Sequence, residues 1–313
     1  MKKPNPKFYA TLVLCVLMPL AIIYSQLLQG IFIIMYSALI ALIYKRKGYI
    51  AATACVIAGL ASLWFSTYDG ISAILMLCPI FLGLVLGEGF RTGRNFKTLL
   101  LRGTTAFIIP MIVLICAAAG EINNFVDIIF MEFLEEVKIF AQANPDSAGT
   151  LVADFSQMLD YTKEAFLRFI PALAIITGLA ACYLSIVFAK YLLKISGLRF
   201  VYVPSFAFLR LGRPMTTFMM VSSLLAMLPI DEKAVAAFEN ITVIMLALAF
   251  ACGLSVIDFY VRQKISFAGT RFLIYIVTII TTLMFTGLPL TILCIIGIID
   301  SFFKLRIVRT MEG

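Results

Sequence analysis

Lysine and arginine recur along this chain in bursts, and the spacing of the bursts limits what it can fold into. All but four of the 25 basic residues fall into six clusters: Lys2/Lys3/Lys7, Lys45/Arg46/Lys47, Arg91/Arg94/Lys97/Arg102, Lys190/Lys194/Arg199/Arg210/Arg213, Arg262/Lys264/Arg271 and Lys304/Arg306/Arg309. Apolar stretches long enough to cross a bilayer twice lie between successive clusters. Cationic loops resist translocation, so the pattern predicts every cluster on the cytoplasmic side and an out-and-back pair of helices between them.

Composition agrees. Hydrophobic residues make up 62% of the 313 residues and charged residues only 13%, with a mean hydropathy of +1.05. A soluble domain carries about twice that share of charge. The net charge of +8 follows from topology rather than from a nucleic-acid partner, because most acids segregate to the other side: Asp69, nine residues from Glu121 to Glu164, and Asp231, Glu232 and Glu239. Phe8 to Tyr24 has no small-residue cleavage site and reads as a retained first helix rather than a removed leader.

A hydrocarbon core of about 30 Å needs about 17–25 helical residues. The expected spans are 8–24, 28–44, 50–66, 71–87, 99–120, 168–189, 214–229, 239–261, 271–286 and 288–303. The last two come from splitting one long apolar run at Gly287-Leu288-Pro289, which also keeps Arg271 and Lys304 on one side. The fold class is therefore an all-α polytopic membrane helical bundle of about ten transmembrane helices, both termini cytoplasmic. Its expected parts are a six-helix bundle over 1–195 and, over 196–313, an interfacial segment followed by four helices.

Two segments are neither spans nor short loops. Residues 121–168 are acidic, with apolar residues at helical spacing (Phe125, Ile128, Ile129, Phe133, Val137, Phe140), a break at Asn144-Pro145, and Leu151, Phe155, Leu159 and Phe166 beyond it. This predicts an amphipathic helical hairpin on the outer face, lying on the membrane or folded over the bundle. Residues 197–214 are aromatic, broken by Pro204 and fenced by Arg199, Arg210 and Arg213, which suits an interfacial or shallow re-entrant element at the cytoplasmic leaflet.

Catalytic signatures are missing. Without histidine there is no Ser-His-Asp or Cys-His pair and no HExxH zinc site, and no GxSxG or Walker A motif occurs. The seven cysteines sit inside apolar segments without a CxxC, so neither disulfides nor a metal is expected. No cofactor and no enzymatic activity are expected.

Candidate functional residues come from two places. At the basic side, Glu88, Asp258 and Asp300 stand at helix ends beside Arg91, Arg262 and Lys304. The latter two pairs have i,i+4 spacing. Together the six could form a cytoplasmic gating or docking network, or merely local ion pairs. At the outer side Trp64, Tyr68, Asp69, Asn123 and Asn124 could wall a small-solute pocket. Small residues four apart, in Gly83-x-x-x-Gly87, Ala54-x-x-x-Ala58-x-x-x-Ser62 and Ala174-x-x-x-Gly178, predict close helix packing within the chain.

Pro204-Ser205-Phe206, Glu239-Asn240-Ile241-Thr242, Gly253-Leu254-Ser255-Val256-Ile257 and Gly297-Ile298-Ile299-Asp300 followed by Arg306 together resemble the YybS-like family of uncharacterised bacterial multi-pass membrane proteins. The family usually has Gln where Cys252 stands and a more basic ending than Phe303-Lys304-Leu305-Arg306. Its first six helices are similar in layout to the substrate-binding S components of energy-coupling-factor transporters, although the first helix here lacks their Ala-x-x-x-Ala contact face. The resemblance implies binding or transport of a small solute, with a separate ATPase or an ion gradient driving uptake. The competing expectation is a non-catalytic membrane scaffold or assembly factor with envelope-protein partners. In both, the lipid bilayer is a partner and nucleic acid is not.

Overall fold

A computed structural model describes residues 6–25, 28–67, 70–142, 148–200, 202–228, 231–265, 267, 277–278, 287–303 and 305–306. Apart from one short 3-10 turn, the regular structure is α-helical: α1 (Pro6–Tyr24), α2 (Gln29–Lys47), α3 (Tyr49–Thr67), α4 (Gly70–Thr92), α5 (Phe96–Ala117), α6 (Ala119–Gln142), α7 (Ala148–Arg168), α8 (Ile170–Ile195), α9 (Arg213–Leu225), α10 (Glu232–Lys264) and α11 (Leu288–Phe303). Among the described residues five helices (α2, α4, α5, α8 and α10) are long and apolar enough to cross a membrane. Shorter apolar helices cover Thr11–Tyr24, Tyr49–Phe65 and Leu288–Phe303. The chain is a polytopic helical membrane bundle.

It divides into two compact units. The first comprises Met1–Ile170 and Ala174–Val203, and α2 is its central post. Eight consecutive residues of α2, Tyr36 to Ile43, are buried, as expected of a helix that is apolar on all sides. Glycine sets the distance to α4: a Cβ on Gly83 would come 2.7 Å from the Ser37 carbonyl oxygen, and one on Gly87 would come 2.5 Å from Tyr44 Cβ. The Gly83/Gly87 pair thus faces α2. Gly178 similarly packs against Ile108 and Phe107 of α5. The third small-residue motif fails, because Ala54 and Ala58 are exposed while Ala52, Cys55, Val56 and Gly59 face inward. Only Ser62 of that motif makes a contact of this kind, donating to the Val16 carbonyl at 3.3 Å. The motif was right for spacing and wrong for face, since Ala is equally at home against lipid.

The outer insertion is the expected pair of helices, α6 and α7, tied by a Lys163–Asp127 ion pair. Ile128, Met131, Phe133 and Ile139 on α6 and Met158 and Tyr161 on α7 remain exposed. The Asn144-Pro145 break and the Asp146/Ser147 cap lie outside the described residues. Six of the seven free cysteines are buried, whereas Cys116 near the end of α5 is exposed.

The second unit comprises Pro171–Leu173 and Pro204–Gly313. Its centre is the crossing of α10 and α11, where glycine again removes the side chains. A Cβ on Gly253 would fall on the Leu293 carbonyl, and one on Gly297 on the Ala249 carbonyl. Cys294 Sγ contacts the Leu246 carbonyl at 3.5 Å, and Tyr260 Oη donates to the Leu305 carbonyl at 2.8 Å. The two helices therefore run in the same direction, which brings Asp258 and Asp300 to the same end. The helix expected over 271–286 lies outside the described residues except Val277 and Thr278, both helical. The span expected over 214–229 appears as the 13-residue α9, roughly 20 Å long and shorter than a hydrocarbon core.

Candidate functional site

The most elaborate polar construction among the described residues sits where α10 and α11 end. It begins with a segment that cannot be helical. Pro204 and the Gly212-Arg213-Pro214 start of α9 hold residues 204–212 in mostly extended backbone around the single 3-10 turn Phe206–Phe208. Pro214 falls in the first turn of α9, where its missing N–H costs nothing. The extended stretch leaves carbonyls without helical donors, and buried carbonyls need partners.

Side chains from both long helices supply them. Ser255 Oγ lies 2.6 Å from the Phe206 carbonyl and 3.0 Å from that of Leu209. Arg306 donates through Nη1 to the Ala207 carbonyl and Ser255 Oγ, and through Nη2 to the Leu209 carbonyl at 2.7 Å and Asp300 Oδ2 at 2.6 Å. Arg210 grips Asp300 from the other side: Nε reaches Oδ2 at 3.2 Å and Nη2 reaches Oδ1 at 3.2 Å and the backbone carbonyl at 3.1 Å. Thr216 and Ser301 share a 2.6 Å hydrogen bond, and Ser301 donates to the Leu211 carbonyl. Asp300 is fully buried and Arg306 is 5% exposed. A carboxylate taken out of water needs charged donors in good geometry. Two guanidinium groups provide them, with the fork shape that lysine lacks.

The expected partner of Asp300 was Lys304, which lies outside the described residues. The described partners are Arg210 and Arg306, because the carboxylate turns toward the packed segment. Asp258 and Arg262 do form the expected i,i+4 pair at 2.7 Å, with Asp258 buried and Arg262 44% exposed. Glu88 is in the first unit, exposed, and accepts a 2.6 Å hydrogen bond from Tyr44 Oη. Arg91 is exposed beside Gly48.

The outer-face residues are not brought together. Trp64 is 54% exposed and lines an open, apolar crevice of about 520 Å³ between α3 and α4 with Ile57, Phe65 and Ile74. Asn123 and Asn124 are exposed on α6. Tyr68 and Asp69 lie outside the described residues.

What this arrangement can do chemically is limited. Both terminal nitrogens of the Arg306 guanidinium and both oxygens of Asp300 are engaged by protein. Among the described residues no group of three or more Cys, Asp or Glu could hold a metal ion. The network fastens the 204–212 segment to two helices and leaves Phe208, 54% exposed, on its surface.

A multi-pass helical membrane protein is the class that this fold defines. The family matches at the same level: the chain belongs to a family described as predicted membrane protein (DUF2232), whose pattern covers residues 12–301. No curated protein and no solved structure matches the chain. The matched range includes Asp300, its partner Arg210 and the nearby Ser255, and stops short of Arg306.

Proposed function

We propose that this protein is a non-catalytic scaffold of the bacterial cytoplasmic membrane, with the segment 204–213 as a preformed docking surface for a partner protein. One observation carries the reading: the buried Asp300–Arg306–Arg210 network fastens that segment while leaving the Phe208 ring outside. By the positive-inside rule this surface faces the cytoplasm. Preordering a loop lowers the entropy that a partner would otherwise have to overcome. Exposed phenylalanine beside arginine is a combination enriched at protein interfaces.

The packing of the first unit supports the same choice. Its interior is filled by Tyr36, Ile40, Leu82, Leu86, Phe90 and Ile186, all essentially inaccessible. Its apolar crevices at α3/α4 and α4/α5 open outward. A solute carrier needs a polar-lined cavity at mid-depth, and these crevices are neither polar nor central.

The second reading is solute binding in the manner of energy-coupling-factor S components. One observation favours it: α1–α5 and α8 give the first unit six apolar helices, with the α6–α7 hairpin inserted between the fifth and sixth. This is likeness of layout, and layout does not carry function. Kinship with YybS-like proteins likewise rests on the motif order alone.

The two readings separate in one experiment. A photocrosslinking amino acid is placed at Phe208 and, as comparison, at Trp64, in the full chain in its native membrane. The scaffold reading expects a discrete adduct with one envelope protein from Phe208 that disappears in Arg306→Met. Adducts with an ATPase subunit, together with a metabolite retained by the purified protein, would establish the solute reading instead.

A further inference from the structure

Beside the seam of α4 and α5, in the first unit, runs an open groove of about 780 Å³. Leu77, Phe81 and Val85 line it from α4, each four residues after the last, and Ala106, Ile109 and Val113 line it from α5. The seam itself is closed, with Leu99 against Gly89 and Gly103 against Leu82 and Leu86. The groove is therefore a channel on the outside of packed helices rather than a fault between them.

Its two ends differ. From Leu77 to Glu88 and from Leu101 to Val113 the walls are roughly 17 and 18 Å long. A hydrocarbon core is about 30 Å thick, so the groove is about one leaflet deep. The far end is wholly apolar. The basic end is closed by Thr92, Arg94, Thr98 and Arg102, and the positive-inside rule places it at the cytoplasmic headgroups. Neither arginine side chain has an ion-pair or hydrogen-bond partner among the described residues. The one acid there, Glu88, already holds the Tyr44 hydroxyl. Two unpaired guanidinium groups above an apolar slot call for one anionic head on a hydrocarbon chain.

We propose that this groove seats an anionic phospholipid of the cytoplasmic leaflet, its phosphate between Arg94 and Arg102 and an acyl chain along Phe81, Val85 and Ile109. Arginine suits a phosphate because its fork can donate two parallel hydrogen bonds. A zwitterionic head brings its own cation to the same two arginines and is disfavoured. The site is independent of the docking surface proposed for the second unit.

The test is native mass spectrometry of the full-length protein from micelles holding equal phosphatidylglycerol and phosphatidylcholine. The wild type is expected to retain phosphatidylglycerol on the order of tenfold over phosphatidylcholine. In Arg94→Gln/Arg102→Gln that preference falls to about twofold or less, while the charge-matched control Lys138→Gln/Lys233→Gln keeps it. Ala106→Trp, which fills the slot and leaves both arginines, lowers retention of the lipid. Equal retention of the two lipids by the wild type would overturn the proposal, as would equal losses in the arginine and lysine variants. Displacement of the lipid by millimolar inorganic phosphate would overturn it too, by showing a site for free phosphate.

Discussion

The basic ends of the two units handle the same kind of charge in opposite ways. In the first unit, Arg91 on α4, Arg94 in the turn after it and Arg102 on α5 stand exposed, and the local polar contacts join side chains mostly one to one: Tyr44 to Glu88, Lys45 to the Phe90 carbonyl, Asn95 Oδ1 capping the Thr98 N–H. In the second, Asp300 and Arg306 are buried and each group has several partners. A cationic cluster in sequence marks the side of the membrane in both. It says nothing about whether the charge is answered by water and lipid heads or by the protein itself. The sides of the comparison differ in expected cost, because a buried pair is expensive to break and an exposed one is not.

The largest effect is expected from Arg306→Met. Asp300 then keeps Arg210 alone among the described residues, the Ala207 carbonyl loses its donor, and the Leu209 carbonyl keeps only Ser255. Removing one partner of a buried pair costs about 3–5 kcal/mol. The measurement is thermal unfolding in detergent, with limited proteolysis at residues 204–212 as a local readout. Replacing the acid as well, in Asp300→Leu/Arg306→Met, should recover part of the loss. A single variant as stable as wild type would place the two basic ends in the same class and remove the contrast.

Next comes Gly297→Val, which forces α11 away from the Ala249 carbonyl. Overpacking of this kind costs about 1–3 kcal/mol, read as a lowered unfolding temperature. It should also weaken the Asp300 network, since the same crossing sets the height of α11. Proteolysis at 204–212 in this variant would show that packing and network act together; protection there with reduced overall stability would show that they are separate.

These two variants also mark what could be read in the sequence. The apolar stretches, the helix start just after Gly287 and the acidic hairpin were legible, because periodicity and helix breakers act locally. So was Asp258–Arg262, four residues apart on one helix face. The Asp300 site was legible only in pieces. Ser255, Gly253, Gly297, Asp300 and Arg306 all belong to the ordered motifs that carry the family resemblance, and Phe206 and Arg210 belong to the arginine-fenced segment. The structure brings them together across 90 residues, as from Arg210 to Asp300. No local spacing rule encodes such a meeting, and the i,i+4 rule pointed instead to Lys304. The outer-face residues give no comparable meeting among the described residues, where Trp64, Asn123 and Asn124 are exposed near helix ends.

Asp258→Asn tests an intermediate case, since its carboxylate is buried while Arg262 is 44% exposed. The amide oxygen can still accept from Arg262 Nε, and solvent screens what charge remains. A loss of about 1 kcal/mol is expected in thermal unfolding. A loss as large as that of Arg306→Met would mean that the second unit's basic end is one continuous network extending along α10 to Asp258.

The smallest effect is expected at the first unit's basic end, in Tyr44→Phe. The hydroxyl donates to Glu88 at 2.6 Å, yet both groups are open to water. Water replaces the lost partner on each side, so stability should change by no more than about 0.5 kcal/mol. Glu88→Gln should match it, because the amide oxygen still accepts from the tyrosine. The pair is measured by thermal unfolding at low and at high salt. A loss above about 1 kcal/mol that high salt removes would show a charge network spreading from Glu88 to the surrounding arginines. That would reverse the contrast, since Arg94 and Arg102 would then be held by protein and no longer available to a lipid head.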